Sequence, residues 1–202
     1  MCREVIIIGA GGHGKVIADI IEKSEDKVVG FLDDNTEKSN IFGYPVLGKI
    51  KDWEKYKDKE FIVAIGDNAV RKNIVYKNSQ IKYYTAIHPM AIIAKEVKIE
   101  EGSCIMAGAI INSSTIVGRH CIINSGAVIE HDNVISDFVH ISPRATLCGT
   151  VFVGDSTHVG AGAVIKNNTK VVNNTVIGAG AIVVKNVNAQ GVYIGVPAKK
   201  VK

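Results

Sequence analysis

A six-residue period dominates the second half of this sequence. Starting at Ile93, every sixth residue up to Val183 is isoleucine, leucine or valine. The position two residues before each of these is usually small, as at Ser103, Ala109 and Thr115. A helical period of 3.6 residues does not fit this spacing, and the segment is rich in Gly and Asn, which are poor helix formers. The spacing instead predicts short strands arranged in a repeating coil.

Three six-residue sides make one triangular coil of 18 residues. In such a coil the branched aliphatic side chain points inward and stacks on its equivalent one coil later, while the small residue fits where the chain turns. Glycine accepts turn conformations that other residues avoid. Stacked coils form a solenoid with a core of Ile and Val, and about five coils fit between Ile93 and Val183. We therefore predict a parallel β-helix.

The first half alternates short apolar runs with polar, helix-like segments. It predicts strands over Val5–Ile8, Lys27–Leu32 and Phe61–Ile65. It predicts helices over about Lys15–Lys23, Ile50–Lys57 and Asn68–Asn78. This alternation is typical of βαβ units around a parallel sheet, here an α/β half-Rossmann domain. Pro89 cannot continue a ladder and restricts His88, so we expect one domain over residues 1–86 and a second over 87–202.

Composition narrows the function classes. The 202 residues are 47% hydrophobic and 22% charged, which is too apolar for a disordered chain. The net charge of +4 is scattered, whereas a nucleic-acid binder usually has a clustered basic face. No stretch is long enough for a membrane span or a signal-peptide core, so we expect a cytoplasmic protein without a membrane partner. The four cysteines show no CxxC spacing, and no pattern calls for a metal.

Several motifs together carry a family resemblance. They are Gly9–Lys15, Gly30–Asp34, Ile122–Asn124 followed by Val128–Asp132, Phe138–Ser142 and Gly195–Lys199. With the six-residue repeat, they resemble the sugar O-/N-acyltransferase family, which includes sialic acid O-acetyltransferases. The sequence is most similar to the branch that acetylates UDP-4-amino sugars, the UDP-N-acetylbacillosamine N-acetyltransferases. The resemblance implies a left-handed β-helix, a homotrimer, acetyl-CoA as co-substrate without a metal, and a nucleotide-linked amino sugar as acceptor in bacterial glycan biosynthesis.

A glycine-rich loop follows the first predicted strand. Gly9, Gly11 and Gly14 satisfy the pattern GxGxxG, and Asp33 follows about twenty residues later. Glycines let a backbone approach a phosphate, and a helix N-terminus attracts the negative charge. The domain has only one mononucleotide half, so this loop favours a nucleotide-sugar diphosphate over NAD. A purely structural loop is the third interpretation.

The resemblance assigns acceptor-binding residues to this domain and to the repeat. They are Gly11, Gly12, His13, Gly14, Lys15, Asp33, Asp34, Gly66 and Asn124. His13 and Lys15 would lie near the diphosphate, the two aspartates near the nucleoside, and Asn124 near the sugar. The alternatives are a histidine exposed by accident in a loop and aspartates that simply end a strand.

Acyl transfer to an amine needs a base that works near neutral pH, and histidine is the best-matched side chain. Of the six histidines, His131 lies between Glu130 and Asp132, and a carboxylate can orient an imidazole. Local sequence alone does not say which acid reaches it. The resemblance makes His131 the general base and Asp132 its partner. The alternative is an exposed turn histidine beside solubilising acids.

The resemblance also assigns acetyl-CoA-binding residues. They are His140, Gly149, Ala161, Gly162, Gly178, Ala179 and Pro197. The backbone N–H of Gly149 is the candidate donor to the thioester oxygen. We disfavour Cys148 as a nucleophile because nothing nearby marks a thiol of lowered pKa. His158 follows His140 by 18 residues, so the two should stack, whereas His120 is expected to be a loop residue.

One residue departs from the family pattern. Arg144 stands where relatives commonly have glycine, which puts the expected turn in doubt, although the side chain could instead contact a CoA phosphate.

Three other functions compete with N-acetylation of a nucleotide-linked amino sugar. The first is O-acetylation of sialic acid or another free sugar, for which the glycine-rich loop would be superfluous. The second is a non-catalytic scaffold or nucleotide sensor, in which His131→Ala would leave function intact. The third is an NAD-dependent enzyme that uses its β-helix to oligomerise, which predicts NAD binding.

Overall fold

The computed structural model describes residues 2–35, 37 and 39–202. The chain divides into two compact units, Met1–Pro89 and Met90–Lys202. Residues 87–89, which the sequence-based boundary assigned to the second domain, belong to the first unit. Among the described residues, no helix is both long and apolar enough to cross a membrane.

The first unit is an α/β sandwich built on a five-stranded sheet. Its elements are β1 (Glu4–Ile8), α1 (Gly12–Lys23), β2 (Lys27–Leu32), β3 (Asn40–Ile41), β4 (Tyr44–Gly48), a 3₁₀ helix (Ile50–Tyr56), β5 (Glu60–Val63), α2 (Asn68–Lys77) and β6 (Ala86–Ile87). The sheet order is β3-β4-β2-β1-β5, parallel except for β3 against β4. The apolar runs of β1, β2 and β5 lie at its centre because both faces of the sheet are covered.

Two details of this unit differ from the prediction. Strands β3 and β4 were not predicted, because Pro45 and Gly48 within β4 are residues that strands usually lack. Helix α1 begins at Gly12 rather than near Lys15. Gly14 is buried in its first turn, and a Cβ there would meet the Gly9 carbonyl oxygen at 2.2 Å. The glycines that the sequence analysis assigned to a loop therefore lie in the helix and allow its backbone to approach the sheet.

The second unit is a triangular prism with three parallel sheets as its faces. Face A comprises β7 (Ile92–Ile93), β10 (Ile110–Ile111), β13 (Val128–Ile129), β16 (Thr146–Leu147), β19 (Val164–Ile165) and β22 (Ile182–Val183). Face B comprises β8 (Lys98–Ile99), β11 (Ile116–Val117), β14 (Val134–Ile135), β17 (Phe152–Val153) and β20 (Lys170–Val171). Face C includes β9 (Cys104–Ile105), β12 (Ile122–Ile123), β15 (His140–Ile141), β18 (His158–Val159), β21 (Thr175–Ile177), β23 (Gly191–Ile194) and β24 (Lys199–Lys200).

The register of the prism follows the predicted period. From β7 to β22, neighbouring strands of a face are 18 residues apart, as in Ile123 with Ile141, and the inward residues from Ile105 to Val183 are almost fully buried. Small residues such as Ala127 and Ala145 are also fully buried, two positions before the inward aliphatic. The six-residue pattern therefore fixes which side chain of each strand forms the core. After the last coil, β23 and β24 form an antiparallel pair at the edge of face C.

The three corners of the prism turn through the left-handed region of backbone conformation. One corner, between faces C and A, has glycine at Gly108, Gly126, Gly162 and Gly180, with φ from 65° to 68°, and Arg144 at φ 55°. We call this column of five residues the glycine corner. Arg144 therefore keeps the turn that its departure from glycine put in doubt.

Candidate active site

The glycine-rich loop contains two kinds of glycine. Gly9 has φ 111°, and a Cβ there would meet the Ala64 carbonyl oxygen at 2.9 Å. Gly9 and Gly14 are therefore required by the fold itself. A Cβ at Gly11 or Gly12 would meet no atom within 4 Å, so these two leave open backbone. Gly11 caps α1 without a side-chain hydrogen bond, and no acidic residue lies in the first turn. The open backbone and the positive end of the helix form a surface suited to an anion.

His13 lies in the first turn of α1 and is not an exposed loop residue. Its Nε2 atom is buried and has no hydrogen-bond partner among the described residues. Burial, together with the positive charge of Arg71, lowers the pKa of His13 to about 4. The imidazole is therefore neutral near pH 7 and offers a hydrogen bond rather than a positive charge. Lys15, which is exposed, is the cation of this turn.

The two aspartates predicted to lie near the nucleoside both accept hydrogen bonds from backbone N–H groups. Asp33 Oδ2 accepts a hydrogen bond from Ala10 N at 2.6 Å, and its Oδ1 accepts one from Asn35 N at 2.8 Å. Asp34 Oδ1 accepts from Ile50 N at 3.1 Å and lines a cavity of about 330 Å³ beside Lys51 and Lys77. Asp33 thus ties the end of β2 to the glycine-rich loop. This bond supports the strand-ending interpretation of Asp33, while Asp34 still faces open space.

Sequence reasoning missed the residue that holds the loop after β5. Arg71 is buried, and its guanidinium donates to the carbonyl oxygens of Ile65 at 2.9 Å and Gly66 at 3.3 Å. A Cβ at Gly66 would meet nothing within 4 Å, so the predicted acceptor-binding glycine is open. The only signal in the sequence was an arginine on the inner side of a polar helix, which is easily taken for a surface residue.

His131 and Asp132 lie at the corner of the prism between faces A and B, which we call the histidine corner. His131 Nδ1 lies 2.7 Å from Asp132 Oδ2, and both side chains are mostly exposed. Glu130 is engaged elsewhere, because its Oε2 accepts from Asn112 Nδ2 at 3.0 Å. Since a carboxylate only accepts hydrogen bonds, it fixes the proton on Nδ1 and leaves Nε2 with its lone pair.

Gly149 lies directly over the His131 ring. A Cβ at Gly149 would come within 2.7 Å of both Cε1 and Nε2 of His131. The neighbour that requires glycine here is thus the imidazole itself. The Gly149 carbonyl oxygen accepts a hydrogen bond from Asn168 N, but no described residue accepts a hydrogen bond from the Gly149 N–H. At this corner the His131 Nε2 atom and the Gly149 N–H therefore lie side by side, and neither has a hydrogen-bond partner in the described part of the chain.

A buried asparagine, also missed from the sequence, supports this corner. Asn133 is fully buried, and its Nδ2 donates to the carbonyl oxygen of Cys148 at 3.1 Å. Its Oδ1 accepts from Val151 N at 3.0 Å. The side chain thus bridges the coil of His131 to the coil of Gly149. The available signal was the replacement of a small residue by Asn at this point of the repeat.

A second polar group lies at the end of β12 and on face C. Asn124 Nδ2 lies 3.2 Å from His140 Nε2. The His140 and His158 rings stack with centroids 4.7 Å apart, as their spacing predicted, and His158 Nε2 lies 2.7 Å from Ser142 Oγ. His120 lies in a turn, as predicted, and its ring is buried and stacks on Phe138 with the ring centroids 5.2 Å apart.

The remaining predicted coenzyme residues lie along the upper coils. Gly180 N donates to Ala161 O at 2.8 Å, which places the predicted pairs Ala161–Gly162 and Gly178–Ala179 one coil apart on the glycine corner. Ala161, Gly162 and Ala179 are exposed. Pro197 lines a cavity of about 330 Å³ with Lys185 and Lys199 near the last coil. Cys148 is partly buried, and no group of three metal-ligating side chains occurs among residues 2–35, 37 and 39–202.

Two family models match the chain. Residues 4–78 match the PglD N-terminal domain, and residues 96–131 match the bacterial transferase hexapeptide model of six repeats.

Individual proteins match over different lengths. A UDP-N-acetylbacillosamine N-acetyltransferase from Bacillus subtilis (strain 168) is 40% identical over 112 residues, which are 52% of each chain. An uncharacterized mimivirus protein, L142, is 34% identical over 101 residues, 50% of this chain and 21% of its own. This chain thus spans about half or less of these two curated relatives.

Solved structures match over nearly the full length. The acetyltransferase domain of PglB from Neisseria gonorrhoeae FA1090, in complex with acetyl coenzyme A, has a TM-score of 0.94 and 32% identity, and all of both chains is covered. PerB from Caulobacter crescentus, in complex with CoA and GDP-perosamine, has a TM-score of 0.94 and 33% identity over 98% of this chain and 97% of that one.

These matches confirm the fold class predicted from the sequence, a Rossmann-like α/β domain followed by a left-handed parallel β-helix of hexapeptide repeats. The chain belongs to the sugar O-/N-acyltransferase family, with a PglD-type N-terminal domain and a hexapeptide-repeat acetyltransferase domain.

Proposed function

We propose that the protein transfers the acetyl group of acetyl-CoA to the amino group of a nucleotide-linked amino sugar. The acceptor best supported is a UDP-4-amino-4,6-dideoxy sugar. The observation that carries this proposal is the histidine corner, where His131 is oriented by Asp132 and faces Gly149. The relatives named above are similar in sequence and fold, and two of them are described with acetyl-CoA, CoA or a nucleotide amino sugar.

His131 acts as the general base. The acceptor nitrogen attacks the thioester carbonyl carbon and forms the new C–N bond, while its proton passes to His131 Nε2. Asp132 stabilises the resulting imidazolium through Nδ1. The Gly149 N–H donates to the oxygen of the tetrahedral intermediate. When the C–S bond breaks, the imidazolium returns the proton to the CoA sulfur, so the products are an amide and free CoA thiol.

The first unit supplies the nucleotide site. Gly11 and Gly12 leave the start of α1 open, and the helix end favours a diphosphate. The neutral imidazole of His13 has a buried Nε2 with no hydrogen-bond partner among residues 2–35, 37 and 39–202, and a bound ligand or water would satisfy it. A free sugar such as sialic acid would leave this surface unused, which is why N-acetylation of a nucleotide sugar is favoured over O-acetylation.

Thiol release from acetyl-CoA tests the proposal. The acceptors are a UDP-4-amino-4,6-dideoxy sugar, GDP-perosamine, a dTDP-amino sugar, sialic acid and buffer alone. We expect release with one nucleotide amino sugar and a loss of about 10³-fold in kcat for His131→Ala. Asn167→Ala, at the equivalent turn position two coils later, is the matched control and should keep wild-type kcat. Release only with sialic acid, or unchanged activity in His131→Ala, would contradict the proposal.

We further propose that the protein is a homotrimer whose reaction site lies between two copies. Asn124 and His131 lie at the two turns that flank β13 on face A, so in one copy they belong to different corners of the prism. On face B, Ile116, Val134 and Phe152 form an exposed apolar ladder in register, with exposed fractions of 37–39%. Packing this ladder on face C of a neighbour would bring its Asn124 and His140 to the histidine corner, and repetition around a threefold axis closes the assembly.

Subunit complementation tests this arrangement. His131→Ala and His140→Ala should each be inactive alone. When the two variants are coexpressed, mixed trimers contain interfaces with both histidines intact, so part of the activity should return. Phe152→Glu should dissociate the trimer in sedimentation and abolish activity. A fully active monomer, or no recovery in verified mixed trimers, would contradict a site shared between copies.

A further inference from the structure

The outward column of face C contains two histidines, and the proposed function uses only one of them. The outward residues of five successive coils are Cys104, Ile122, His140, His158 and Val176. The column is therefore apolar on both sides of the histidine pair. The proposed function places His140 at the acetyl-CoA site, but it gives His158 no role. The second imidazole, one coil later, needs an explanation of its own.

The two histidines make the same kind of diagonal contact. His140 Nε2 lies 3.2 Å from the side-chain amide Nδ2 of Asn124, and His158 Nε2 lies 2.7 Å from Ser142 Oγ. In each pair the polar partner precedes the histidine by 16 residues and directly follows an inward aliphatic residue. Ser142 and His158 therefore repeat, one coil later, the arrangement of Asn124 and His140.

The two imidazole rings lie face to face. Their centroids are 4.7 Å apart and their planes differ by 10°, because β15 and β18 pair with His140 opposite His158. Ser142 is buried, and its backbone N–H donates to Val159 O at 2.9 Å, so its hydroxyl is held in place. Ser142 thus anchors the edge of the His158 ring, and the face of that ring covers one face of His140.

Asn124 determines which nitrogen of His140 carries the proton. Its Oδ1 accepts a hydrogen bond from Ser125 N at 2.8 Å, and its Nδ2 faces His140. Because an amide nitrogen only donates, His140 Nε2 accepts, and the proton of the neutral ring lies on Nδ1. A rotated ring would lose this hydrogen bond, since the bond depends on the direction of the lone pair. The orientation of the ring and its tautomer are therefore linked.

We propose that His158, anchored by Ser142, is a positioning residue that holds the His140 imidazole in one orientation and one tautomer. A ring fixed in this way presents the same atoms to the coenzyme in every molecule, so less conformational freedom is lost on reaching the transition state. This inference rests on the proposed function, in which His140 lies at the acetyl-CoA site, and it extends that site by one coil.

Steady-state thiol release tests the consequence for the reaction. In His158→Ala we expect kcat/KM for acetyl-CoA to fall about tenfold, with KM for the nucleotide amino sugar within twofold of wild type. His158→Phe keeps a stacking ring and should recover part of the loss. Val176→Ala, which changes the neighbour of His158 on its other side, is the matched control and should keep wild-type kinetics. The melting temperatures of all three variants should lie within a few degrees of wild type.

NMR spectra of 15N-labelled histidine side chains test the positioning itself. At about pH 8 a histidine with an ordinary pKa is neutral, and its two nitrogen shifts report the tautomer. The His140 signals are those missing from His140→Ala. We expect one Nδ1–H tautomer in the wild type and in Val176→Ala, and averaged shifts of two tautomers in His158→Ala. If His158→Ala does not fold, Ser142→Ala and His158→Phe serve for the same comparison, because each removes only the anchoring contact.

Two results would overturn the assignment. One is a His140 spectrum in the variants that matches the wild type. The other is unchanged kcat/KM for acetyl-CoA in a variant whose His140 tautomers are mixed. The spectra separate this inference from the proposed function, since they need no acceptor. A protein that acetylates none of the acceptors would contradict the function, and its His140 spectrum would still decide whether His158 positions the ring.

Discussion

The two units build their cores in different ways. In the first unit each buried residue has its own kind of neighbour, such as Gly14 against the Gly9 carbonyl or Trp53 edge-on to Phe61 at 6.4 Å. In the prism each inward residue meets an equivalent one coil away, as Ile123 meets Ile141. The comparison teaches where a substitution matters. The first unit depends on a few contacts that no other residue could make. The prism distributes its stability along the column of inward residues, and its candidate catalytic residues lie at positions outside that column.

The glycines of the first unit give the largest expected effect. Gly14→Ala forces a Cβ to 2.2 Å from the Gly9 carbonyl oxygen, and α1 must move from the sheet. We expect a loss of about 4 kcal/mol in the free energy of unfolding, measured by urea denaturation. Gly12→Ala is the control, because its Cβ meets nothing within 4 Å and alanine favours a helix. Equal losses in both variants would show that the close approach is not what Gly14 provides.

The prism offers the matching test between adjacent residues of one strand. Ile165 of β19 points inward and is fully buried, whereas Val164 beside it is partly exposed. Ile165→Ala should cost about 3 kcal/mol through lost burial and a cavity, and Val164→Ala less than about 1 kcal/mol. Urea denaturation measures both. If Val164→Ala costs as much as Ile165→Ala, the column of inward residues does not carry the stability of the prism.

Gly149 tests whether the candidate catalytic residues of the prism, which lie outside the inward column, affect activity rather than stability. In Gly149→Ala the new Cβ displaces the flexible His131 ring rather than backbone, since it would lie 2.7 Å from Cε1 and Nε2. We expect kcat to fall about 100-fold, with the melting temperature within a few degrees of wild type. Thiol release and thermal unfolding are the two measurements. A large loss of stability with normal kcat per folded molecule would make Gly149 a structural residue only.

His13 gives the smallest expected effect, which depends on pH. Its pKa is about 4 in the folded protein, because of burial and the charge of Arg71, and near 6.5 when unfolded. The unfolded chain therefore binds the proton more readily, so this contribution to stability is full above pH 6.5 and is lost as pH falls toward 4. We expect about 2 kcal/mol, with allowance for a partly exposed ring.

His13→Gln cannot titrate, so its unfolding free energy should fall less steeply between pH 6.5 and 4 than that of the wild type. Urea denaturation at several pH values gives both slopes. Identical slopes would show that His13 titrates normally in the folded state.

The sequence predicted the prism more accurately than the first unit, and the reason is redundancy. Sixteen occurrences of one pattern specify which face of each two-residue strand is buried, so the inward column and the stacking of His140 on His158 followed directly. The first unit presents each element once. Its three main strands were predicted, but β3 and β4 were missed and α1 begins three residues early, because Pro45, Gly12 and Gly14 contradict local propensity.

The site shows the same division. The histidine beside two acids was evident, and the family resemblance assigned Asp132 as its partner; local sequence alone could not choose, whereas in the structure Asp132 contacts His131 and Glu130 is bonded to Asn112. Asn133 and Arg71 were missed because a buried polar side chain looks, in sequence, like an exposed one. The nucleoside role of Asp33 stays a prediction, and its carboxylate accepts hydrogen bonds from Ala10 N and Asn35 N, which the sequence did not indicate.

By itself, the sequence determined the repeat, the inward column, the parallel α/β sheet and the candidate base, because periodicity and residue type are local properties of the chain. Only the tertiary structure decided at which glycines a Cβ would clash and at which it would meet open space, and that Glu130 is bonded to Asn112 while Asp132 contacts His131. Those properties depend on the distance between atoms far apart in sequence, such as Gly149 beside the His131 ring and Gly9 beside the Ala64 carbonyl oxygen. Packing sets these distances, and no local pattern records them.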